Sequence, residues 1–181
     1  MLNSITTYTY HSPCGDILLG SYNSSLCLCD WKYRKTRSTI DKRIQHALKA
    51  EYCEGITPVI ESASHQLDRY FSGEICRFDV PLLFVGTEFQ QRVWTELRRI
   101  PYAATISYLQ LAELLGIPKA VRAVANANGA NAISIFVPCH RVIGASGKLT
   151  GYAGGLNAKQ FLINLECSHK DNFDVMHQLN R

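Results

Sequence analysis

A cysteine and a histidine stand side by side in this chain, at positions 139 and 140, directly after Pro138. A thiolate is a strong nucleophile, but a free thiol with a pKa of about 8.5 is mostly protonated at neutral pH and needs a base or positive charge near it. His140 can supply that base, directly or through a water molecule. Pro138 predicts a turn that exposes Cys139. The pair therefore indicates nucleophilic chemistry at Cys139.

A histidine base works best when a carboxylate fixes its tautomer and stabilises its charged form. Glu166 is the only acidic residue between Glu113 and Asp171, and it lies at the end of a helix predicted from residue 157 to 166. By elimination, Glu166 is the candidate partner of His140.

The residues before this site predict three short helices. Two of them begin with the pattern of a capping box, at Thr87 with Gln90 and at Ser107 with Gln110. Pro118, just after Gly116, opens the third helix, which is expected to run to about Asn128. Two short helices separated by a tight turn are typical of a helix-turn-helix, whose second helix commonly docks on DNA. An ordinary helical corner gives the same pattern.

The first third of the chain alternates apolar and polar residues, as β-strands do. Turn residues divide it into three strands, at about 5–10, 16–20 and 26–31, which predict a small antiparallel sheet. Apolar residues at three- and four-residue spacings then predict helices from Thr39 to about Cys53 and from Pro58 to Phe71. A last strand is expected over residues 75–83, before a linker.

The composition is that of a chain with a substantial core. Hydrophobic residues make up 46% and charged residues 19%, which excludes intrinsic disorder. No stretch approaches the roughly 18 apolar residues that span a bilayer, and the first residues lack the pattern of a signal peptide. We therefore expect a cytoplasmic protein with no membrane partner. Its seven scattered cysteines favour reduced thiols over a disulfide framework.

The excess of positive charge is confined to the second half. Residues 1–86 hold nine Lys or Arg and nine Asp or Glu, whereas residues 87–166 hold eight and four. The net charge of +4 therefore arises where the helix-turn-helix is predicted. A polyanion such as DNA is the expected partner of this half.

The string Pro138-Cys139-His140-Arg141-Val142-Ile143-Gly144, followed by Gly151-Tyr152-Ala153-Gly154-Gly155, resembles the signature of the O6-alkylguanine-DNA alkyltransferases, also called methylated-DNA-protein-cysteine methyltransferases. The resemblance covers residues 87–166 and, more weakly, the first part of the chain. It implies an α+β fold, with a small N-terminal antiparallel sheet and helices (ribonuclease H-like) before a helical, winged helix-turn-helix-like catalytic domain. The implied domains are 1–86 and 87–167, followed by a tail at 168–181.

The resemblance also implies the activity, which is direct-reversal DNA repair. Cys139 would accept the alkyl group from O6 of guanine, or O4 of thymine, in double-stranded DNA bound through the minor groove. His140 would take the thiol proton through a bridging water, and Glu166 would hold His140. Because a thioether resists hydrolysis, each chain would act once. The family pattern implies a monomer that needs no cofactor and no catalytic metal.

Further residues receive roles from the same resemblance. Asn131 would brace the turn between the recognition helix and the active-site strand. Tyr108 would help to rotate the alkylated nucleotide, and Arg122 would fill the stack that the flipped base leaves. The other implied contacts are Lys119, Ala120 and Val121 on the recognition helix and Val142, Tyr152, Ala153 and Gly154 around the base.

Some relatives bind a structural zinc ion through cysteines and histidines of the first domain. Here Tyr22 and Cys27 stand where two of those ligands align. Without a second ligand pair at metal spacing, Cys27 and Cys29 are predicted to be core residues.

Three other functions fit parts of the pattern. An alkyltransferase-like protein would bind the lesion without transfer, but those relatives replace the acceptor cysteine, which is present here. A helix-turn-helix regulator would use the basic half, with Cys139 as a buried thiol. A thiol hydrolase would use Cys139, His140 and Glu166 on an ester, although the sequence offers no distinct cleft for such a substrate.

Overall fold

The computed structural model describes residues 3–171 and residue 173. The rest of the tail expected at 168–181 lies outside the described residues. The first half contains β1 (Asn3–Ser12), β2 (Gly15–Tyr22), β3 (Ser25–Trp31), α1 (Arg37–Leu48), β4 (Ala50–Glu54) and α2 (Pro58–Phe71). The strands form one sheet in the order β3-β2-β1-β4. The three antiparallel strands and the second helix agree with the sequence-based expectation.

The three strands predicted from the sequence pair antiparallel as expected, but a fourth strand that was not predicted makes the sheet mixed. β4 pairs in parallel with β1. The first helix was expected to reach Cys53, but Lys49 adopts a left-handed conformation with φ of 50° and ends α1 at Leu48. The chain then turns into β4, whose pairing partner lies some 47 residues earlier, as in Asn3 opposite Ala50. The ribonuclease H-like label stays a prediction.

The strand expected over residues 75–83 does not form. This segment makes only a parallel bridge from Leu82 to Leu26 at the outer edge of β3. The Leu26 N–H donates to the Pro81 carbonyl at 2.8 Å, and the Leu83 N–H donates to the Leu26 carbonyl at 2.9 Å. Because Pro81 has no N–H to donate, the ladder is not continued through it.

The second half contains the predicted helices. Its elements are α3 (Glu88–Leu97), β5 (Ile106–Ser107), α4 (Tyr108–Leu114), α5 (Val121–Gly129), β6 (Val142–Ile143) and α6 (Gly155–Ser168). Both capping boxes are confirmed, at the first turns of α3 and α4. The helix expected from Pro118 begins as a 3-10 turn over Pro118–Ala120 and continues as α5. β5 and β6 form a two-stranded parallel sheet.

Two clusters of buried side chains hold these elements together. The smaller cluster joins the sheet to α1 and contains Ile5, Cys27 and Ile44. The larger cluster joins the sheet to α2 and to the second half, so that Leu19 and Leu162 share one core. Cys27 and Cys29 are both buried, as predicted. Among residues 3–171 and 173, no helix combines the length and apolar character needed to cross a membrane.

Candidate active site

Cys139 lies in a 3-10 turn over Cys139–Arg141 and is only 3% exposed. The expectation that Pro138 exposes this thiol is therefore wrong. The Asn131 side chain donates from Nδ2 to Cys139 Sγ at 3.2 Å and to the Val137 carbonyl at 3.0 Å. Its Oδ1 accepts from the Ile133 N–H at 2.9 Å. Asn131 thus braces the turn and also contacts the sulfur, which sequence reasoning did not anticipate.

A tight turn over residues 133–137 directly precedes Pro138 and Cys139. Ile135, inside this turn, has φ of 73°, a conformation that costs a β-branched residue about 1–3 kcal/mol. The Cys29 N–H donates to the Ala132 carbonyl, and the Ser134 N–H donates to the Cys29 carbonyl, at 2.8 and 2.6 Å. The edge of β3 therefore holds the strained turn in place.

His140 and Glu166 form the pair that the sequence suggested. His140 Nε2 lies 2.7 Å from Glu166 Oε1, and both residues are almost completely buried. The carboxylate can only accept here, so Nε2 carries the proton and the neutral imidazole keeps its lone pair on Nδ1. Nδ1 is buried and has no hydrogen-bond partner within the described part of the chain. It is the nitrogen available to accept a proton.

Glu166 accepts hydrogen bonds from three groups besides His140. Arg141 donates to both carboxylate oxygens at 2.9 Å. The Tyr70 hydroxyl donates to Oε1 at 2.7 Å, and the Ala103 N–H donates to Oε2 at 3.0 Å. Although burial alone would raise the pKa of Glu166, His140 and Arg141 outweigh it and hold the pKa far below its usual range. Glu166 therefore remains ionised.

Burial controls the resting protonation of the nucleophile and the base. It raises the pKa of the Cys139 thiol, against the hydrogen bond from Asn131 and the positive charges of Lys159 and Arg34. It lowers the pKa of His140, against the attraction of Glu166. A neutral thiol thus stands beside a neutral imidazole, and thiolate formation requires proton transfer during the reaction.

Lys159 on α6 is a fully buried cation near this site. Its Nζ donates to the Val142 carbonyl at 2.6 Å and to the Thr150 carbonyl at 2.8 Å. The amine therefore links Val142 in β6 to Thr150 in the loop that follows β6. The Val142 carbonyl thus accepts from Lys159, and the Cys139 carbonyl accepts from the Val142 N–H.

A cavity of about 920 Å³ opens between the first half and the loop over residues 150–155. Tyr108, Tyr152, Ala153 and Gly154, four of the predicted base contacts, are among its lining residues. The Trp31 and Tyr152 rings pack edge to face, with centroids 5.8 Å apart. A Cβ on Gly154 would lie 2.4 Å from the Trp31 indole, so only glycine permits this approach. The first half therefore supplies one wall of the cavity.

The helix-turn-helix presents its basic residues to solvent. Lys119 and Arg122 are exposed, Ala120 and Val121 are half-buried, and Val124 faces the core. Arg34, from the loop after β3, donates to the carbonyls of Gly129 and Asn131 behind α5. The turn that carries Asn131 is therefore anchored from the first half of the chain.

Sequence reasoning missed several residues that complete this site. Tyr70, Arg34 and Trp31 lie far from Cys139 in the sequence, and their types alone indicate ordinary core or surface positions. Arg141 and Lys159 lie within the recognised segment, but their burial gives no sequence signal. No group of three or more His, Cys, Asp or Glu side chains suited to a metal ion occurs among residues 3–171 and 173.

Comparison with known proteins identifies relatives over most of the chain. Residues 88–168 match the family described as 6-O-methylguanine DNA methyltransferase, DNA binding domain. A methylated-DNA-protein-cysteine methyltransferase of Methanosarcina acetivorans is 45% identical over 159 residues, covering 88% of this chain and 96% of the relative. The crystal structure of Mycobacterium tuberculosis OGT in complex with DNA superposes with a TM-score of 0.78 at 44% identity, covering 91% of this chain and 94% of that one. The O6-methylguanine-DNA methyltransferase of Pyrococcus kodakaraensis shares the fold, with a TM-score of 0.65 at 23% identity over 90% of this chain and 98% of that one.

The chain combines a helix-turn-helix with a buried cysteine, Cys139, that Asn131 contacts, and with the His140–Glu166 pair. These features define a class, the helix-turn-helix proteins with a nucleophilic cysteine. The relatives identify one family within this class, because they align with both halves of the chain at 44–45% identity. The chain belongs to the methylated-DNA-protein-cysteine methyltransferase family.

Proposed function

We propose that this chain repairs alkylated double-stranded DNA by direct reversal, with Cys139 as the acceptor of the alkyl group. Family membership supports the activity, and a relative crystallised with DNA supports the partner. The observation that carries the assignment is the buried constellation in which Asn131 contacts Cys139 and Glu166 holds His140. The substrate would be O6-alkylguanine, together with O4-alkylthymine.

The proposed reaction is an in-line displacement at the alkyl carbon. The Cys139 sulfur forms a bond to this carbon while the bond from carbon to O6 breaks. The thiol proton passes to His140 Nδ1 through a bridging water. The guanine anion that leaves takes one proton from solvent on N1, and the His140 imidazolium returns one proton to solvent, so the proton count balances. The product thioether has no good leaving group, so each chain reacts once. Neither a cofactor nor a metal ion enters this scheme.

Glu166 supports the proton transfer by holding His140 in the tautomer whose Nδ1 lone pair is free. As His140 becomes positively charged, the buried carboxylate stabilises the imidazolium across 2.7 Å. Arg141 keeps Glu166 ionised throughout. These roles rest on geometry and on the chemistry of the side chains.

The helix-turn-helix would bind DNA through the minor groove, with α5 as the recognition helix. Lys119 would contact phosphate, and the short Ala120 side chain would permit close approach, with the bulkier Val121 beside it. Because a thiol cannot reach O6 inside a duplex, the base must be flipped out. Tyr108 would assist the rotation and Arg122 would fill the gap.

The flipped base would enter the cavity beside the loop over residues 150–155. The backbone N–H groups of Tyr152, Ala153 and Gly154 would donate to O6, and the carbonyls of Cys139 and Val142 would accept from the exocyclic amine. The cavity is bounded by residues of both halves. We retain the domain division into 1–86, 87–167 and 168–181 as a proposal, together with a monomeric state and a cytoplasmic location.

The fate of the DNA tests the proposed function. After incubation with a duplex carrying one O6-methylguanine, nucleoside analysis should find guanine restored in an intact strand. Cys139→Ala should bind the duplex and leave the lesion unchanged, whereas Cys167→Ala, which removes an exposed thiol on α6, should repair like the parent. An abasic site would indicate excision instead, and a bound but unchanged lesion with the parent chain would indicate a DNA-binding protein without transfer.

A further inference from the structure

The Tyr70 hydroxyl reaches the active site from the first half of the chain. Tyr70 lies at the end of α2 and is completely buried. Its hydroxyl donates to Glu166 Oε1 at 2.7 Å, although the two residues are separated by 96 positions in the sequence. Neither the resemblance nor the proposed reaction gives this hydroxyl a role.

The Tyr70 hydroxyl donates to the same carboxylate oxygen of Glu166 that accepts from His140. Oε1 of Glu166 accepts from His140 Nε2, from the Tyr70 hydroxyl and from Arg141 Nη2, whereas Oε2 accepts from Arg141 Nε and the Ala103 N–H. Each donor draws negative charge away from the others, because all three share the same acceptor oxygen. A donor next to His140 therefore weakens the pull of the carboxylate on the imidazole proton.

We propose that Tyr70 is a positioning residue for alkyl transfer, whose hydroxyl shares Glu166 Oε1 with His140 and thereby keeps the imidazole neutral and able to accept the Cys139 proton. The inference rests on the proposed function. Through Tyr70, the first half of the chain sets the pH range in which the second half reacts.

Several ionisable groups surround the His140–Glu166 pair, and they come from different parts of the chain. These groups are Cys139 and Arg141 in the same turn, Tyr70 on α2, Cys76 after α2, Tyr102 after α3, Tyr152 before α6 and Lys159 on α6. Burial lowers the pKa of His140, Glu166 raises it, and Arg141 and Lys159 lower it further. Burial and the neighbouring Glu166 raise the pKa of Tyr70 well above its usual value, so the phenol remains protonated and keeps its proton to donate.

A purely structural role for Tyr70 makes a different prediction. Its ring packs against Phe71, Phe78 and Tyr102, with centroid distances of 5.4, 5.3 and 6.2 Å. If the ring alone mattered, loss of the hydroxyl would change stability and lower the rate by the same factor at every pH. If the hydroxyl tunes His140, the rate must change more in acid than in base.

Tyr70→Phe removes only the hydroxyl. Without it, Glu166 attracts the His140 proton more strongly, so the imidazole becomes charged at a higher pH and loses its function as a base there. Single-turnover rates at saturating O6-methylguanine duplex, measured from about pH 5.5 to 9, should show the acid limb shifted upward by about one pH unit. Transfer at the acid end should be about tenfold slower, and the plateau at high pH should change by less than about twofold.

Tyr10→Phe is the matched control. The Tyr10 hydroxyl donates at 2.7 Å to Asp68 on α2, the helix that carries Tyr70. Tyr10 also lies in the same core cluster as Tyr70. Its removal costs a comparable hydrogen bond without touching Glu166, so the pH profile should overlay that of the parent. A Tyr70→Phe profile that overlays the parent, or that falls equally at all pH values, would overturn the inference.

A second variant keeps the inference testable if Tyr70→Phe does not fold. 3-Fluorotyrosine at position 70 is a stronger donor of nearly the same size, so it should shift the acid limb downward. An unshifted or upward-shifted limb would contradict the inference. Failure of the proposed function is distinguishable, because the parent chain itself would then transfer no methyl group to Cys139 at any pH.

Discussion

Glu166→Gln is expected to slow alkyl transfer at least tenfold and to lower the free energy of unfolding by about 3–5 kcal/mol. Five hydrogen bonds converge on the carboxylate, from Tyr70, Ala103, His140 and, twice, Arg141. Glutamine offers one oxygen and brings two N–H donors of its own, so several buried donors lose their acceptor. Single-turnover kinetics and chemical denaturation measure the two effects.

The lowered pKa of Glu166 also makes the free energy of unfolding depend on pH. Because the folded-state pKa of Glu166 is lowered, its contribution to stability is present above the unfolded-state value of about 4.3 and is lost as the pH falls toward the folded value. Glu166→Gln should therefore flatten the loss of stability below about pH 4.

Glu96→Gln is the control for a simple loss of charge. Glu96 pairs with Arg99 at 3.0 Å, and the side chains of Glu96 and Arg99 are 14% and 72% exposed. Removing this pair should cost no more than about 1 kcal/mol and leave the transfer rate unchanged. If Glu166→Gln behaves like Glu96→Gln in both measurements, Glu166 is merely a helix-end acid.

Arg122→Ala is expected to slow repair of duplex O6-methylguanine by about thirty- to a hundredfold, while slowing reaction with free O6-benzylguanine by less than about threefold. The free base needs no extrusion, whereas flipping a base from the duplex costs a few kcal/mol, and each 1.36 kcal/mol is tenfold in rate. Arg122 is exposed on α5, while Val124 faces the core, so the guanidinium is available to the DNA. Single-turnover kinetics on both substrates measure the difference.

Lys119→Ala separates stack filling from phosphate binding. Lys119 is exposed just before α5, and a phosphate contact there predicts weaker binding, a salt dependence smaller by about one charge and little change in rate at saturating DNA. An Arg122→Ala chain that matches this pattern would have lost only a phosphate contact. Equal slowing on the duplex and the free base would show damage to the pocket and leave the flipping role unsupported.

Local chemistry made the helices of the second half predictable. The capping boxes at Thr87 and Ser107 depend on residues only three positions apart, and both form as the sequence indicated. The Cys139-His140 string and the single nearby acid were also sufficient to pair His140 with Glu166. These predictions depended on patterns within a few residues and on Glu166 being the only acidic residue between Glu113 and Asp171.

Long-range contacts explain what the sequence left open. β4 was missed because its pairing with β1 joins residues distant in the chain, and Lys49 gives no warning of the left-handed turn before it. Tyr70 fits the apolar stripe of α2, so its type suggests core packing and conceals the hydrogen bond to Glu166. The burial of Cys139 likewise depends on packing by distant residues.

We expect Cys139, and no other cysteine, to accept one alkyl group irreversibly. The intact mass of the chain, measured after reaction with excess duplex carrying one O6-methylguanine and followed by peptide mapping, tests this claim directly. The mass should increase by one methyl group per chain, located on Cys139 and stable with time. A methyl group on Cys14, Cys27 or Cys167, more than one methyl group per native chain, or an unchanged mass would contradict it.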